Sequence, residues 1–202
     1  MYSENTPTIE TSRLILRKFR DSDIDDMFLL YSDEEVNKFL PFFPFKTVKE
    51  VENYLYNDIF PFYTKDVAYS YAIAQKTDNR VIGYVHINDI GGSNDMGYAL
   101  RKEFWHKGVT SEACAAIVDR LRKVKFPFIT AKYDVKNPYS GEVMKKIGMS
   151  YCYSYTEQWQ PKNVLTTFRM YQLNLDGVER TYTEYLKKYS HFKETINIVN
   201  GN

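Results

Sequence analysis

The residues best placed to do chemistry lie in the run Phe104-Trp105-His106-Lys107-Gly108-Val109-Thr110-Ser111-Glu112-Ala113. It joins a strand-like segment, Met96 to Leu100, to an amphipathic helix pattern beginning near Thr110. The first backbone N–H groups of a helix have no internal partners, and the helix dipole adds partial positive charge there. A strand, a tight basic turn and a helix start together make an anion cradle. Gly108 lets the backbone come close to a bulky phosphate, and His106 and Lys107 bring donors or positive charge to the rim. The expected occupant is the pyrophosphate of a cofactor. An ordinary turn before a helix is the alternative for Lys107-Gly108.

The other elements have to hold that turn in place. Arg13 to Arg17 alternates, with Leu14 and Leu16 on one side, and reads as a first strand. Asp21-Ser22-Asp23 offers N-caps before Ile24, Met27, Phe28 and Tyr31 at helical spacing. The Pro-punctuated aromatic run Phe39 to Phe45 is either core packing or the wall of a cleft. A second helix follows Thr47 and ends at Pro61. Tyr69 to Ile73, Val81 to Ile90 and Met96 to Leu100 then form an antiparallel meander that feeds the cradle. After it come a helix carrying Ala113, Ile117, Leu121 and Val124, a strand from Phe128 to Val135, and a helix opening at Asn137-Pro138-Tyr139-Ser140 and closed by Gly148. Two strands, Tyr151 to Trp159 and Leu165 to Leu173, precede a last helix, Val178 to Tyr189, whose Tyr stripe is core or a self-association surface. Strands in a meander followed by a β-α-β-α unit indicate an α+β, or mixed α/β, fold with one largely antiparallel sheet flanked by helices.

Composition narrows the classes. The 202 residues suffice for one well-buried core, and a single domain spanning 1–202 is expected, with its core at about 11–175 and a C-terminal helix at 177–190. A formal net charge of +1 argues against a nucleic-acid backbone as main partner. Cys114 and Cys152 form neither a metal spacing nor a disulfide framework, so no metal is expected. No apolar run is long enough to span a bilayer, and residues 1–10 lack the apolar core of a signal peptide, so the expected location is cytoplasmic, without membrane attachment.

Two motifs, read together, go further. The first is Trp105 to Ala113; the second is Asn137-Pro138-Tyr139-Ser140-Gly141-Glu142-Val143-Met144-Lys145-Lys146-Ile147-Gly148-Met149. Their order and context resemble the GNAT superfamily of acyl-CoA-dependent N-acyltransferases, and within it the RimJ/RimL branch that acetylates protein N-terminal amines. The resemblance spans about Thr11 to Leu175. In that family the first motif, Gln/Arg-x-x-Gly-x-Gly/Ala, binds the CoA pyrophosphate, and the second reaches the pantetheine and thiol end. Here Trp105 stands at the Gln/Arg position and Thr110 at the Gly/Ala position.

The resemblance implies acetyl-CoA as acyl donor, a GNAT fold with splayed middle strands, and direct attack of an amine on the thioester. It places the amides of His106, Lys107, Gly108, Val109, Thr110 and Ser111 around the pyrophosphate. The edge of the Met96 to Leu100 strand, continuing to Lys102, pairs with pantetheine, and a backbone N–H near Leu100 takes the oxyanion. Asn137 meets the same arm. Ser140 meets the sulfur and protonates the thiolate, because Met144 stands where some branches carry a tyrosine; capping the helix is its alternative. Base candidates are Glu157 and His86, against readings as a solvated strand charge and a packed histidine; Glu112 serves the helix start. A lysine amine with pKa ~10.4 is roughly 0.1% free near neutrality, whereas an α-amine near ~7.8 is tens of per cent free. A site without a strong dedicated base therefore favours an α-amine. The expected acceptor is a protein or peptide N-terminus; small-molecule amines (a polyamine, an aminoglycoside or an amino-acid-like compound) and a non-catalytic CoA-binding module remain as alternatives, and a homodimer is possible.

Overall fold

The computed structural model describes residues 4–195. Its centre is a nine-stranded sheet in the order β1-β2-β3-β4-β5-β6-β8-β7-β9. The strands are β1 (Ile9–Glu10), β2 (Leu14–Arg17), β3 (Tyr69–Gln75), β4 (Val81–Asn88), β5 (Asp95–Leu100), β6 (Phe128–Asp134), β7 (Ser150–Trp159), β8 (Val164–Asn174) and β9 (Ser190–Phe192). Every neighbouring pair is antiparallel except β5 and β6, which pair in parallel at a single position, Asp95 with Thr130. The expected mixed α/β fold with a largely antiparallel, centrally splayed sheet is the one observed.

Alternation along the strands sorts side chains onto two faces. Leu14, Leu16, Tyr69, Tyr71 and Ile73 face α4 (Val109–Lys123) and α5 (Pro138–Lys146), where Ala113, Ile117, Leu121 and Met144 complete one core. Ala72, Ala74, Val81 and Tyr84 face α1 (Ile24–Tyr31) and α3 (Val48–Tyr54), where Met27, Leu30, Tyr31 and Val51 build a second. Gly141 matters to the first packing: a Cβ there would lie 2.5 Å from the Tyr133 ring, so only glycine lets α5 rest on β6. A bidentate pair, Arg17 with Asp23, ties β2 to the start of α1; its N–O distances are 2.8 and 2.9 Å, and both side chains are buried.

Several elements differ from the sequence expectation. A short α2 (Glu34–Asn37), capped by Asp33 Oδ1, precedes the aromatic run. The second helix continues past Tyr54 into a wide turn, Leu55–Ile59, so Pro61 falls in a following 3-10 segment, Phe60–Thr64. The last helix is much shorter than expected: α6 covers only Glu184–Lys188. The side chains of Gln172 and Asn174 on β8 donate to the Arg180 carbonyl, and Gln172 Oε1 accepts from the Tyr182 N–H. Those backbone groups are spent on the sheet and unavailable to a helix. The stripe of Tyr182, Tyr185, Leu186 and Tyr189 packs onto Tyr153, Tyr155, Phe168 and Met170, so it is core.

Candidate functional site

The turn before α4 has the backbone that an anion cradle needs. His106 and Gly108 both take left-handed conformations, φ 59° and 72°, and Gly108 is the N-cap of α4 with no side chain capping the amides that follow. Backbone N–H groups of Val109, Thr110 and Ser111 therefore open the helix toward the turn. A second cation arrives from far away in sequence. The Arg13 guanidinium donates to the Lys107 carbonyl at 3.1 Å, and its Nη2 lies 3.9 Å from where a Gly108 Cβ would sit. Glu112 holds it there, bonding Arg13 Nε at 2.7 Å and taking Thr11, Ser12 and the Arg13 N–H on its other oxygen. The His106 ring meets Tyr139 of α5 edge-on, with centroids 4.8 Å apart, and joins the two motifs.

The open edge of β5 leads away from this cradle. The Arg101 N–H donates to the Ile82 carbonyl at 2.8 Å, so Asp95, Gly97 and Ala99 are the residues that bond β4. Past the single pairing with β6 at Asp95–Thr130, Tyr98 and Leu100 present their backbone N–H groups to the other side, where β6 has turned away. The Trp105 Nε1–H donates to the Leu100 carbonyl at 2.7 Å, which pins the turn to the strand end. The extended edge stops short of Lys102. That residue opens a 3-10 segment, Lys102–Phe104, and its ammonium pairs with Glu35 of α2. The strand-like contact expected of Lys102 is thereby corrected: the edge able to add a strand ends at Leu100.

Ser140 and Asn137 come from α5 on the far side of this opening. Asn137 is the N-cap by position, yet no side chain there bonds a helix amide. Ser140 does not cap either. Its carbonyl accepts from the Tyr98 hydroxyl at 2.7 Å, and its Oγ lies 3.1 Å from the same hydroxyl. Burial, as the largest influence, pushes the Tyr98 phenol well above its ordinary range. It is a neutral donor at any working pH, and the two hydroxyls form a proton-bearing pair beside the open strand edge.

The opposite face of the sheet holds the remaining candidates. His86 is buried, its Nδ1 2.8 Å from Ser70 Oγ and its ring stacked on Tyr84 with centroids 4.5 Å apart. Desolvation pushes its pKa down to about 3, so it is neutral near pH 7 and, alone, poorly matched to take a proton from an ammonium. Glu157 is largely buried rather than a solvated strand charge. It lies 4.0 Å from the Lys132 ammonium and faces the Tyr189 hydroxyl. Lys132 in turn sits over the rings of Tyr185 and Phe168, at 4.9 and 5.5 Å. Of the aromatic run, Phe42 and Phe45 pack on Tyr31 and Tyr54, while one side of that cluster lines an open groove of about 410 Å³ that includes Glu50 and Asp58. The run is thus both packing and wall.

The structure brings His106 to Ser111 together as one turn and sets Ser140 across the open edge of β5 from it. His86 and Glu157 lie on the other face. The places of Arg13 and Tyr98 beside these residues were not legible in the sequence. Arg13 reaches Lys107 across 94 positions and Tyr98 reaches Ser140 across 42, and no local pattern encodes either contact. Among the described residues there is no cluster of three or more metal-ligating side chains, and no helix is long and apolar enough to cross a membrane.

Known proteins resemble this chain in sequence and fold. An uncharacterised N-acetyltransferase, p20, of Bacillus licheniformis is 30% identical over 146 residues, which cover 69% of this chain and 80% of that protein. A Salmonella typhimurium acetyltransferase described as modifying the N-terminal serine of ribosomal protein L7/L12 superposes with a TM-score of 0.72 at 19% identity, over 84% of this chain and all of that one. Spermidine N-acetyltransferase of Vibrio cholerae, solved with CoA and spermine, gives 0.67 at 16% identity, over 82% of this chain and 97% of the other. Residues 13–150 match the acetyltransferase (GNAT) domain, a span that holds the cradle, the open strand edge and the Ser140 helix: the chain belongs to the GNAT family and is an N-acetyltransferase.

Proposed function

We propose that this protein transfers the acetyl group of acetyl-CoA to the α-amine of a protein or peptide N-terminus. The observation that carries the donor half is the left-handed Gly108 at the head of an uncapped α4, roofed by Arg13. The residues fit CoA. The amides of Val109, Thr110 and Ser111, with Arg13 and Lys107, would hold the pyrophosphate. The free β5 edge and Asn137 would hold the amide-bearing arm. Acetyl-CoA, when bound, supplies a thioester for an amine to attack.

This chain's residues then divide the work. A backbone N–H of the β5 edge, at Tyr98 or Leu100, donates to the carbonyl oxygen as charge develops there. Ser140, hydrogen-bonded to Tyr98, returns a proton to the departing sulfur. Neither His86, held neutral, nor Glu157, paired with Lys132, is a strong base. An amine that is already partly free near neutrality suits this site better than a lysine side chain. The L7/L12-modifying relative acts on such an amine, which supports the reading without extending to this chain's own acceptor.

A second reading takes a polyamine. It rests on the groove of Phe42, Phe45 and Tyr54, which carries Glu50 and Asp58. One screen separates the two: acetyl-CoA with free thiol as readout, tested on peptides with free or blocked N-termini, on polyamines and on aminoglycosides. Turnover confined to free N-termini is the expected result; turnover confined to polyamines replaces the first reading with the second.

A further inference from the structure

Two buried polar atoms without partners belong to residues on the sheet face away from α4: His86 Nε2 and Asp95 Oδ1. The β4–β5 register sets His86 opposite Gly97 and Asn88 opposite Asp95. The two side chains therefore rise from the same face at diagonal positions, with α-carbons roughly 7–8 Å apart. Gly97 beside them contributes no side chain, and a Cβ built there would meet only Asn88 Nδ2, at 3.7 Å. Open space thus lies over Gly97, with His86 opposite it in register and Asp95 two residues before it on the same face. It sits next to Asp95–Thr130, the one position where β5 and β6 pair before the sheet opens. Buried polar atoms are ordinarily satisfied. Two acceptor-capable atoms beside one gap await a ligand with several donors, and a primary ammonium has three N–H bonds.

We propose that the gap over Gly97 receives the acceptor's ammonium, with Asp95 taking its proton and His86 Nε2 accepting a second N–H. This rests on the amine-acetyltransfer reading above and assigns the base which that reading lacks. For Nε2 to accept, His86 Nδ1 carries the proton and donates to Ser70 Oγ. Glu157 is less free to act, being matched with Lys132, whereas Asp95 Oδ1 has no partner. The groups that face Asp95 are Asp89 from the preceding turn, Lys132 from β6, Tyr155 and Glu157 from β7, and Tyr182 and Tyr185 from the C-terminal segment. Burial is the largest influence and raises the Asp95 carboxyl; Lys132 opposes it, while Asp89 and Glu157 add to it. The direction improves Asp95 as a proton acceptor.

The step balances. One ammonium N–H bond breaks toward Asp95, leaving a carboxylic acid and a neutral amine. The amine lone pair forms the C–N bond at the thioester carbonyl carbon, and the C–S bond breaks with its pair on sulfur. Sulfur takes a proton from the Ser140–Tyr98 pair, the second amine proton replaces that one, and the Asp95 proton leaves to solvent. One proton is released per turnover.

Asp95→Asn keeps the shape and removes the proton acceptor. With the amine identified by the screen above, kcat/KM is expected to fall about 100-fold near pH 7, while thermal stabilisation by CoA equals that of wild type. Without acyl-CoA, the same amine should raise the melting temperature of wild type and fail to raise that of Asp95→Asn. Gly97→Val, which fills the gap, should raise KM for the amine and leave CoA stabilisation intact. Asp95→Asn within twofold of wild-type kcat/KM overturns the assignment, and so does a fall matched by an equal loss of CoA stabilisation. Wild type that CoA stabilises but that acetylates no amine overturns the acetyltransfer reading and this assignment together.

Discussion

The Tyr98 hydroxyl lies 2.7 Å from the Ser140 carbonyl oxygen and 3.1 Å from Ser140 Oγ, so a strand residue at the mouth of the splay fixes the hydroxyl of a residue on α5. The contact gives Ser140 an orientation that a surface serine would lack, and it ties β5 to α5 beside the place where β5 and β6 part. The pair predicts a split in kinetics. Ser140→Ala should lower kcat by about 100-fold with little change in CoA binding. Tyr98→Phe should lower it less, because Ser140 remains. Steady-state kinetics beside a CoA thermal shift checks both; an unaltered kcat in Ser140→Ala removes Ser140 from the chemistry.

Gly108 predicts loss of the donor site without loss of the fold. Its φ of 72° disfavours any side chain, and Gly108→Ala should cost about 1–2 kcal/mol in urea unfolding. Gly108→Glu adds a carboxylate to the anion cradle beneath Arg13. The melting temperature should then cease to respond to CoA while circular dichroism stays native. A full thermal response in the Glu variant would rule out the cradle.

Two arginines near the N-terminus should behave in opposite ways. Arg17 and Asp23 form a bidentate pair with side chains 4% exposed on both sides. Breaking it strands a buried charge, so Asp23→Ala should cost about 3–5 kcal/mol. The Arg13 side chain is 51% exposed, and its pair with Glu112 contributes about 0–1 kcal/mol to stability. Arg13→Ala should instead raise the CoA dissociation constant several-fold at near-native stability. Urea unfolding and calorimetric titration of CoA measure the two effects separately.

His86 predicts the sign of a pH effect on stability. Burial holds its folded pKa at about 3, below an unfolded value near 6.5. Above the unfolded value both states are neutral, and the group contributes no pH dependence. Between the two values the unfolded chain binds a proton that the folded chain refuses, so stability falls as pH drops from about 6.5 toward 3. At pH 5 the cost is about 2 kcal/mol. His86→Gln removes this contribution. The stability difference between wild type and variant, from urea unfolding at pH 7.5 and pH 5, should shift in the variant's favour at the lower pH; an unchanged difference contradicts a buried neutral histidine.

The sequence by itself determined what neighbouring residues can encode. The alternation of Leu14 and Leu16, the helical stripe of Ala113, Ile117 and Leu121, and the glycine before Val109 are local patterns, and each gave the element that forms. The turn and helix start at Gly108 were legible because a helix start supplies its own donors within a few residues. The last helix was overread because its tyrosine spacing suits a helix, whereas Gln172 and Asn174 claim the backbone of Arg180 and Tyr182 from another strand. Tertiary structure alone decided the rest. Arg13 over Gly108 and Tyr98 against Ser140 are contacts between distant segments, and the placement of His86 on the same face as Asp95 is set by the β4–β5 register. The strand residues among them, Tyr98, His86 and Asp95, depend on register, and a slip of one residue would turn a strand's side chains to the other face of the sheet.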